Sequence, residues 1–203
     1  MESNVFKLSN AGGMSSRTRY WSMLAGNTTW VPYTPTGSFD SIATQTAAGG
    51  ESSLSFTSIP STYTHLQLRM SNIKFSADQD IKVTFNSVGG TSYIEHQLYG
   101  NGSSASAWAS SSQGYIDILY TLVNDADTNT IPSAAIMDIL DYANTNKYKT
   151  TRTLWGGDYN GKGKVCLQSG LFMSTNAIST ITVQPFSTNF TAGCTFALYG
   201  VKA

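Results

Sequence analysis

The sequence predicts an all-β protein, an antiparallel two-sheet sandwich of jelly-roll type over residues 38–203, preceded by an extended N-terminal arm over residues 1–37. Three observations carry that expectation. Apolar and polar residues alternate along short runs, the period of a half-buried strand. Each run is bounded by Gly, Pro, Asn or Ser, and the runs recur at the spacing of sandwiches and barrels. No long amphipathic stretch separates them, which disfavours a parallel βαβ sheet. No repeat of 20–50 residues appears, so propellers and solenoids are disfavoured. Roughly ten antiparallel strands in a chain of this size fit a jelly-roll sandwich.

The elements follow in chain order. Residues 1–37 lack two-residue alternation and carry Lys7, Arg17 and Arg19 against the single acid Glu2. Residues 15–25 read as a short helix. Ser15 or Ser16 would cap it, Tyr20, Trp21 and Leu24 would share a face, and Gly26 would stop it. The following TTWVPYTPTG holds two prolines and resists helix. With Phe6, Tyr20, Trp21, Trp30 and Tyr33, the segment is too aromatic for an idle linker. It either packs on its own body or docks on another protein, with Phe6, Arg17, Arg19, Tyr20, Trp21 and Trp30 as the contact residues.

Strand-like runs begin with FDSIATQTA and ESSLSFTSI, the latter ended by Pro60. HLQLRMSNIKF, IKVTF, HQLYG, YIDILY, AAIMDIL, TRTLWG, VCLQSGLFM, ISTITVQPF and CTFALYGV follow. Gly49-Gly50, Gly89-Gly90, Asn101-Gly102 and Asn160-Gly161 are turn signals. Asn-Gly between alternating runs is a strong hairpin signal, so 149–158 should pair with 163–173. Alternate positions give the expected core: Leu54, Phe56, Leu66, Leu68, Ile81, Val83, Phe85, Ile116, Ile118, Ile136, Ile139, Leu154, Val165, Leu167, Ile181, Val183, Phe196 and Leu198. YGNGSSASAWASSSQ (99–113) reads as a low-complexity loop anchored by Trp108.

Composition narrows the functional classes. With 27 Ser and 25 Thr, about a quarter of the 203 residues carry small hydroxyl side chains. Charged residues are 12%, against a typical ~25%. Hydrophobic residues at 40% still supply a core, which argues against disorder. A formal net charge of zero disfavours nucleic-acid binding by phosphate neutralisation. No run approaches the ~18 apolar residues of a membrane span. The opening MESNVFKLSNAGG lacks a basic region followed by an apolar stretch, so no secretory leader is expected. Cys166 and Cys194 sit in strand-like runs and read as buried free thiols. His65 and His96 are too few for a zinc site and read as strand histidines bonding a neighbour.

Catalytic patterns are missing. No G-x-S-x-G elbow, P-loop or dinucleotide fingerprint occurs. Asp138 and Asp141 are three apart and would face oppositely on a strand, so they read as a strand end and a turn. Asp125-Ala-Asp127-Thr-Asn129 copies the start of a calcium loop. It has Thr130 where the turn glycine belongs and Ile136 where the bidentate Glu belongs. A surface Ca²⁺ contact from Asp78, Asp80 or that loop stays open, but no cofactor, metal or catalytic residue is assigned. An exposed Trp108 could stack on a sugar ring or a partner; the alternative is a loop pinned to its own domain.

The segments SLSFTSIPSTYTHLQLRM, YIEHQLYGNGSSASAW, IMDILDYANTNKYKTTRTLWG and FALYGVKA, with the leader KLSNAGGMSSRTRYWSMLAGN, resemble a group of tailed-phage virion structural proteins carried by cyanophages and other aquatic phages. The resemblance spans nearly the whole chain. It implies a non-enzymatic virion protein assembled in the host cytoplasm, of capsid decoration (cement) or tail-appendage type. The expected partners are other copies of the chain, with a trimer preferred, and the major capsid protein or a tail protein. Alternatives are a tail fibre or baseplate adaptor component, or a glycan-binding receptor module using Trp108. A hydrolase acting on host polysaccharide is the least supported by the residues.

Overall fold

The computed structural model describes residues 5–7, 20–22, 31–33, 38–75, 79–121, 132–159 and 162–202. The chain divides into two compact units, 1–37 and 38–203. The first holds strands β1 (Val5–Lys7), β2 (Tyr20–Ser22) and β3 (Val31–Tyr33). They form an antiparallel sheet in that order, with Trp21 opposite both Phe6 and Pro32. The helix expected over 15–25 is therefore corrected, since residues 20–22 are strand. Three apolar residues cannot separate helix from strand by periodicity, and aromatic side chains favour a pleated surface. Pro32 is tolerated because β3 is an edge strand.

The second unit is the two-sheet antiparallel sandwich. Its strands are β4 (Phe39–Thr46), β5 (Leu54–Phe56), β6 (His65–Ile73), β7 (Gln79–Phe85), β8 (Tyr93–Gly100), β9 (Ala105–Gln113), β10 (Ile116–Thr121), β11 (Ser133–Leu140), β12 (Lys149–Tyr159), β13 (Lys162–Phe172), β14 (Ile181–Pro185) and β15 (Thr195–Val201). The larger sheet runs β4-β15-β6-β11-β12-β13-β8-β9 and the smaller β10-β7-β14-β5. The hairpin across Asn160-Gly161 is present, with Tyr159 opposite Lys162 and Lys149 opposite Phe172.

Alternation places the core where one face of each sheet meets the other. Leu66, Leu68 and Met70 of β6, Ile81, Val83 and Phe85 of β7, Ile181 and Val183 of β14, and Phe196 and Leu198 of β15 are all buried. In β6 the phase slips after Met70. Asn72 takes a positive φ of 55°, a conformation that Asn tolerates better than most residues, and its amide donates to the Gly193 carbonyl at 2.8 Å. The resulting bulge lets Ile73 point inward as Met70 does. Between the sheets Phe172 stacks on Tyr93 (centroids 5.0 Å apart) and meets Phe85 edge-on at 5.4 Å. Gly170 makes that approach feasible. A Cβ there would lie 2.7 Å from Cδ1 of Ile116 on the opposite sheet and 2.5 Å from Oγ1 of Thr151.

Four expected core residues are corrected: Ile136, Leu154, Val165 and Leu167 are 45%, 55%, 58% and 58% exposed. The two-residue period is right but its phase is opposite. Leu154 is adjacent to Trp155, and only one of two neighbours on a strand can face in. Trp155 does, at 3% exposure. Ile136 and Ile139 likewise lie on opposite faces, and Ile139 is the buried one. The expected loop at 99–113 is also corrected. It contains β9, the edge strand of the larger sheet, joined to β8 by a turn at Asn101-Gly102 whose Gly102 has φ 86°.

Both cysteines are buried free thiols. Nδ1 of His65 accepts the Asp141 backbone N–H at 2.9 Å, at a turn where Asp141 takes φ 49°.

Candidate functional site

Two faces of the larger sheet carry side chains that the fold alone does not require. The first is its outer face. Ile136 stands opposite Leu154, Leu154 opposite Leu167, Leu167 opposite Leu98, and Leu98 opposite Ala107. The result is an apolar row across β11, β12, β13, β8 and β9. Leu98 is 58% exposed, and Val165 extends the row on the same face beside Gly156 and Gly100. Charges appear only at the margins, where Arg69 stands opposite Ile136 and Arg152 pairs with Asp138 at 3.7 Å. Contiguous exposed apolar patches of more than a few hundred Å² are rare on monomers and are associated with interaction sites. The row reaches the free edge strand β9, whose sequence ASAWASSSQ has none of the Lys or Pro that blunt edges.

The second is the inner face, where the free edge of β10 meets β8 and β13. Glu95 and Gln168, both essentially unexposed, cap that edge. An oxygen of Glu95 accepts the Asp117 N–H at 3.0 Å and the Gln168 side-chain N–H at 2.6 Å. Gln168 also donates to the Asp117 carbonyl at 2.6 Å. The clamp satisfies backbone groups that the sheet ladder leaves open. Next to it is a pocket of about 200 Å³ lined by Asp80, Gln97, Tyr99, Trp108, Asp117, Ile118, Trp155 and Lys164. Trp108 is 41% exposed, and the Lys164 ammonium lies 4.4 Å from the Tyr99 ring centroid. Several polar atoms here have no partner among the described residues: Trp155 Nε1, Asp117 Oδ1, Gln168 Oε1 and the second oxygen of Glu95.

The carboxyls of this cluster are pushed up. Burial is the first cause for each. Glu95 reaches about 7, its burial opposed by the Asp117 N–H and Gln168 and reinforced by Asp80. Asp117 reaches about 8, with Asp80 and Glu95 adding to burial and Lys82 opposing. Asp80 is raised as well, with Lys164 opposing. Burial, reinforced by Asp117, Glu95 and Asp80, raises Tyr115 too, and burial lifts Cys166 to about 11. A raised acid binds its proton more tightly in the folded chain. Its stabilisation is therefore complete below the ordinary carboxyl range near pH ~4 and is lost as pH rises to about 8. Thermal melting should show it: Tm falls between about pH 5 and pH 8.5, by ~2–4 °C for each kcal/mol lost. In Glu95→Gln the slope should flatten. A Tm that rises over this interval would contradict the assignment.

Among the described residues no three His, Cys, Asp or Glu side chains converge to hold a metal ion. Asp78 and the 125–129 segment lie outside the described residues. Asp138 is on β11 and Asp141 in the following turn, apart from the pocket.

Of the contact residues expected from the sequence, Phe6, Tyr20 and Trp21 lie on strands of the first unit, while Arg17, Arg19 and Trp30 fall outside the described residues. Trp108 is on β9, opposite Gln97, and lines the pocket. Sequence reasoning missed the Asp80–Glu95–Asp117 grouping, which three separate strands assemble. The one legible signal was acids placed inside alternating strand runs. Comparison with protein-family models, with curated proteins and with solved structures finds no match for this chain.

Proposed function

We propose that this chain is a non-enzymatic structural subunit of a tailed-phage particle. In this reading it is a capsid decoration protein that associates with further copies of itself through the outer face of its larger sheet and attaches to the particle through residues 1–37. The virion assignment rests on the sequence resemblance. Self-association rests on one observation, the exposed row Ile136–Leu154–Leu167–Leu98. An aliphatic stripe set along a threefold axis meets the neighbouring copies on both sides and closes a ring, as a cyclic assembly requires. A chain of zero net charge has no overall repulsion to overcome. Removing each half-exposed aliphatic from water contributes about 1 kcal/mol. A trimer is the preferred state.

The particle itself provides the test. Immunolabelling and quantitative mass spectrometry of intact virions should place the protein on the capsid in hundreds of copies, and a few to some dozens at the tail would favour a tail fibre or baseplate adaptor. Absence from the virion would overturn the proposal. For attachment, the full-length variant Arg17→Ala/Arg19→Ala/Trp21→Ala should keep its oligomeric state but lose most of its particle binding, because Arg and Trp anchors each cost about 2 kcal/mol or more when truncated at an interface. Undiminished binding would remove residues 1–37 from the attachment role.

A further inference from the structure

We propose that the pocket between Trp108, Tyr99 and Trp155 on the larger sheet and Asp80 and Asp117 on the smaller one is a saccharide site that holds a single neutral pyranose ring of a glycan. It lies on the opposite face of the sheet from the apolar row and stands independently of the assembly reading.

The chemistry of the lining selects this ligand class. A pyranose offers an apolar C–H face and a rim of hydroxyls that both donate and accept. Trp108 supplies a half-exposed indole for the C–H face, at 41% exposure. Asp80 and Asp117 line the wall opposite the aromatic rings, and carboxyl oxygens accept from hydroxyl O–H groups. Trp155 is 3% exposed, lines the pocket, and its indole N–H has no acceptor among the described residues. With the carboxyls holding their protons and Lys164 as the cation of the lining, the aromatic rings and hydrogen-bonding groups are what select the ligand. A bare cation needs several oxygen ligands converging on one point, and no three acidic or imidazole side chains do so among the described residues. The pocket's size, about 200 Å³, is below the ~300–1,000 Å³ of sites for drug-sized ligands, so it suits one ring with the rest of a glycan running outside.

The experiment uses the full-length protein and a panel of neutral sugars at millimolar concentration: glucose, galactose, mannose, rhamnose, N-acetylglucosamine and their common disaccharides. Saturation-transfer NMR reads the bound face, and tryptophan emission reads affinity. At least one sugar should bind saturably, with transfer strongest to the ring C–H protons. Trp108→Ala should weaken it tenfold or more, and Asp117→Asn should weaken it severalfold. Leu98→Ala, on the other face, should leave it unchanged. If Trp108→Ala does not fold, Trp108→Leu serves the same purpose, removing the indole while keeping an apolar side chain. Three results would overturn the proposal: no sugar in the panel binds, binding persists unchanged without the Trp108 indole, or Ca²⁺ alone binds and is lost in Asp117→Asn. None of these bears on particle location or oligomeric state, so this inference and the assembly reading fail separately.

Discussion

The double substitution Leu154→Glu/Leu167→Glu should convert the protein from an oligomer to a folded monomer. The two residues stand opposite each other at the centre of the outer row and are 55% and 58% exposed, so a single chain accommodates both glutamates in water. In an assembly built on that face, every protomer would bring two added carboxylates into a desolvated aliphatic row. Burying an unpaired charge costs several kcal/mol. Dissociation should therefore be at least about 10³-fold more favourable, roughly 4 kcal/mol. Light scattering reads the mass, and far-ultraviolet circular dichroism confirms that the β fold persists. An oligomer that withstands both glutamates would mean that the row is not the interface. A wild-type chain already monomeric at working concentration would remove self-association altogether.

The second large effect is on stability, and it tests which way β13 faces. In the same dissociated background, Phe172→Ala should lower the unfolding free energy by ~3–5 kcal/mol, the cost of emptying an aromatic site in a packed core. Phe172 is unexposed and its ring joins Tyr93 of β8 to Phe85 of the opposite sheet. Val165→Ala on the same strand should cost less than about 1 kcal/mol, the range of strand propensity at a solvated position, because Val165 is 58% exposed. Denaturant titrations of the two variants give the comparison. Equal losses, or a larger one at Val165, would reverse the facing assigned to β13.

Strands, turns and the sandwich were legible in the sequence because they depend on local patterns. Alternation marks a strand whichever face is buried, as in IKVTF and HLQLRM. Gly marks reversals, since positive φ suits it, as at Gly90 and Gly102. Absence of helical periodicity after residue 38 was enough to exclude a βαβ sheet. The segment around Trp108 escaped because small Ser and Ala residues give no contrast between faces, so a nine-residue edge strand looked like a low-complexity loop.

What the sequence by itself determined is thus the all-β class, the strands of residues 38–203 apart from β9, and the hairpin at Asn160-Gly161. Phase was decided only by tertiary structure. Leu154-Trp155 alternates equally well either way, and the choice falls to whichever side chain fills the space between sheets. Trp155, Phe172 and Tyr93 take it, and cross-strand register then carries Leu154, Leu167 and Leu98 together to the outside. The pocket was decided the same way. Asp80, Glu95 and Asp117 come from strands β7, β8 and β10, each unremarkable in its own run. Only the closure of one sheet's edge on the other's inner face brings them within electrostatic reach, and burial there, not any local motif, holds their protons.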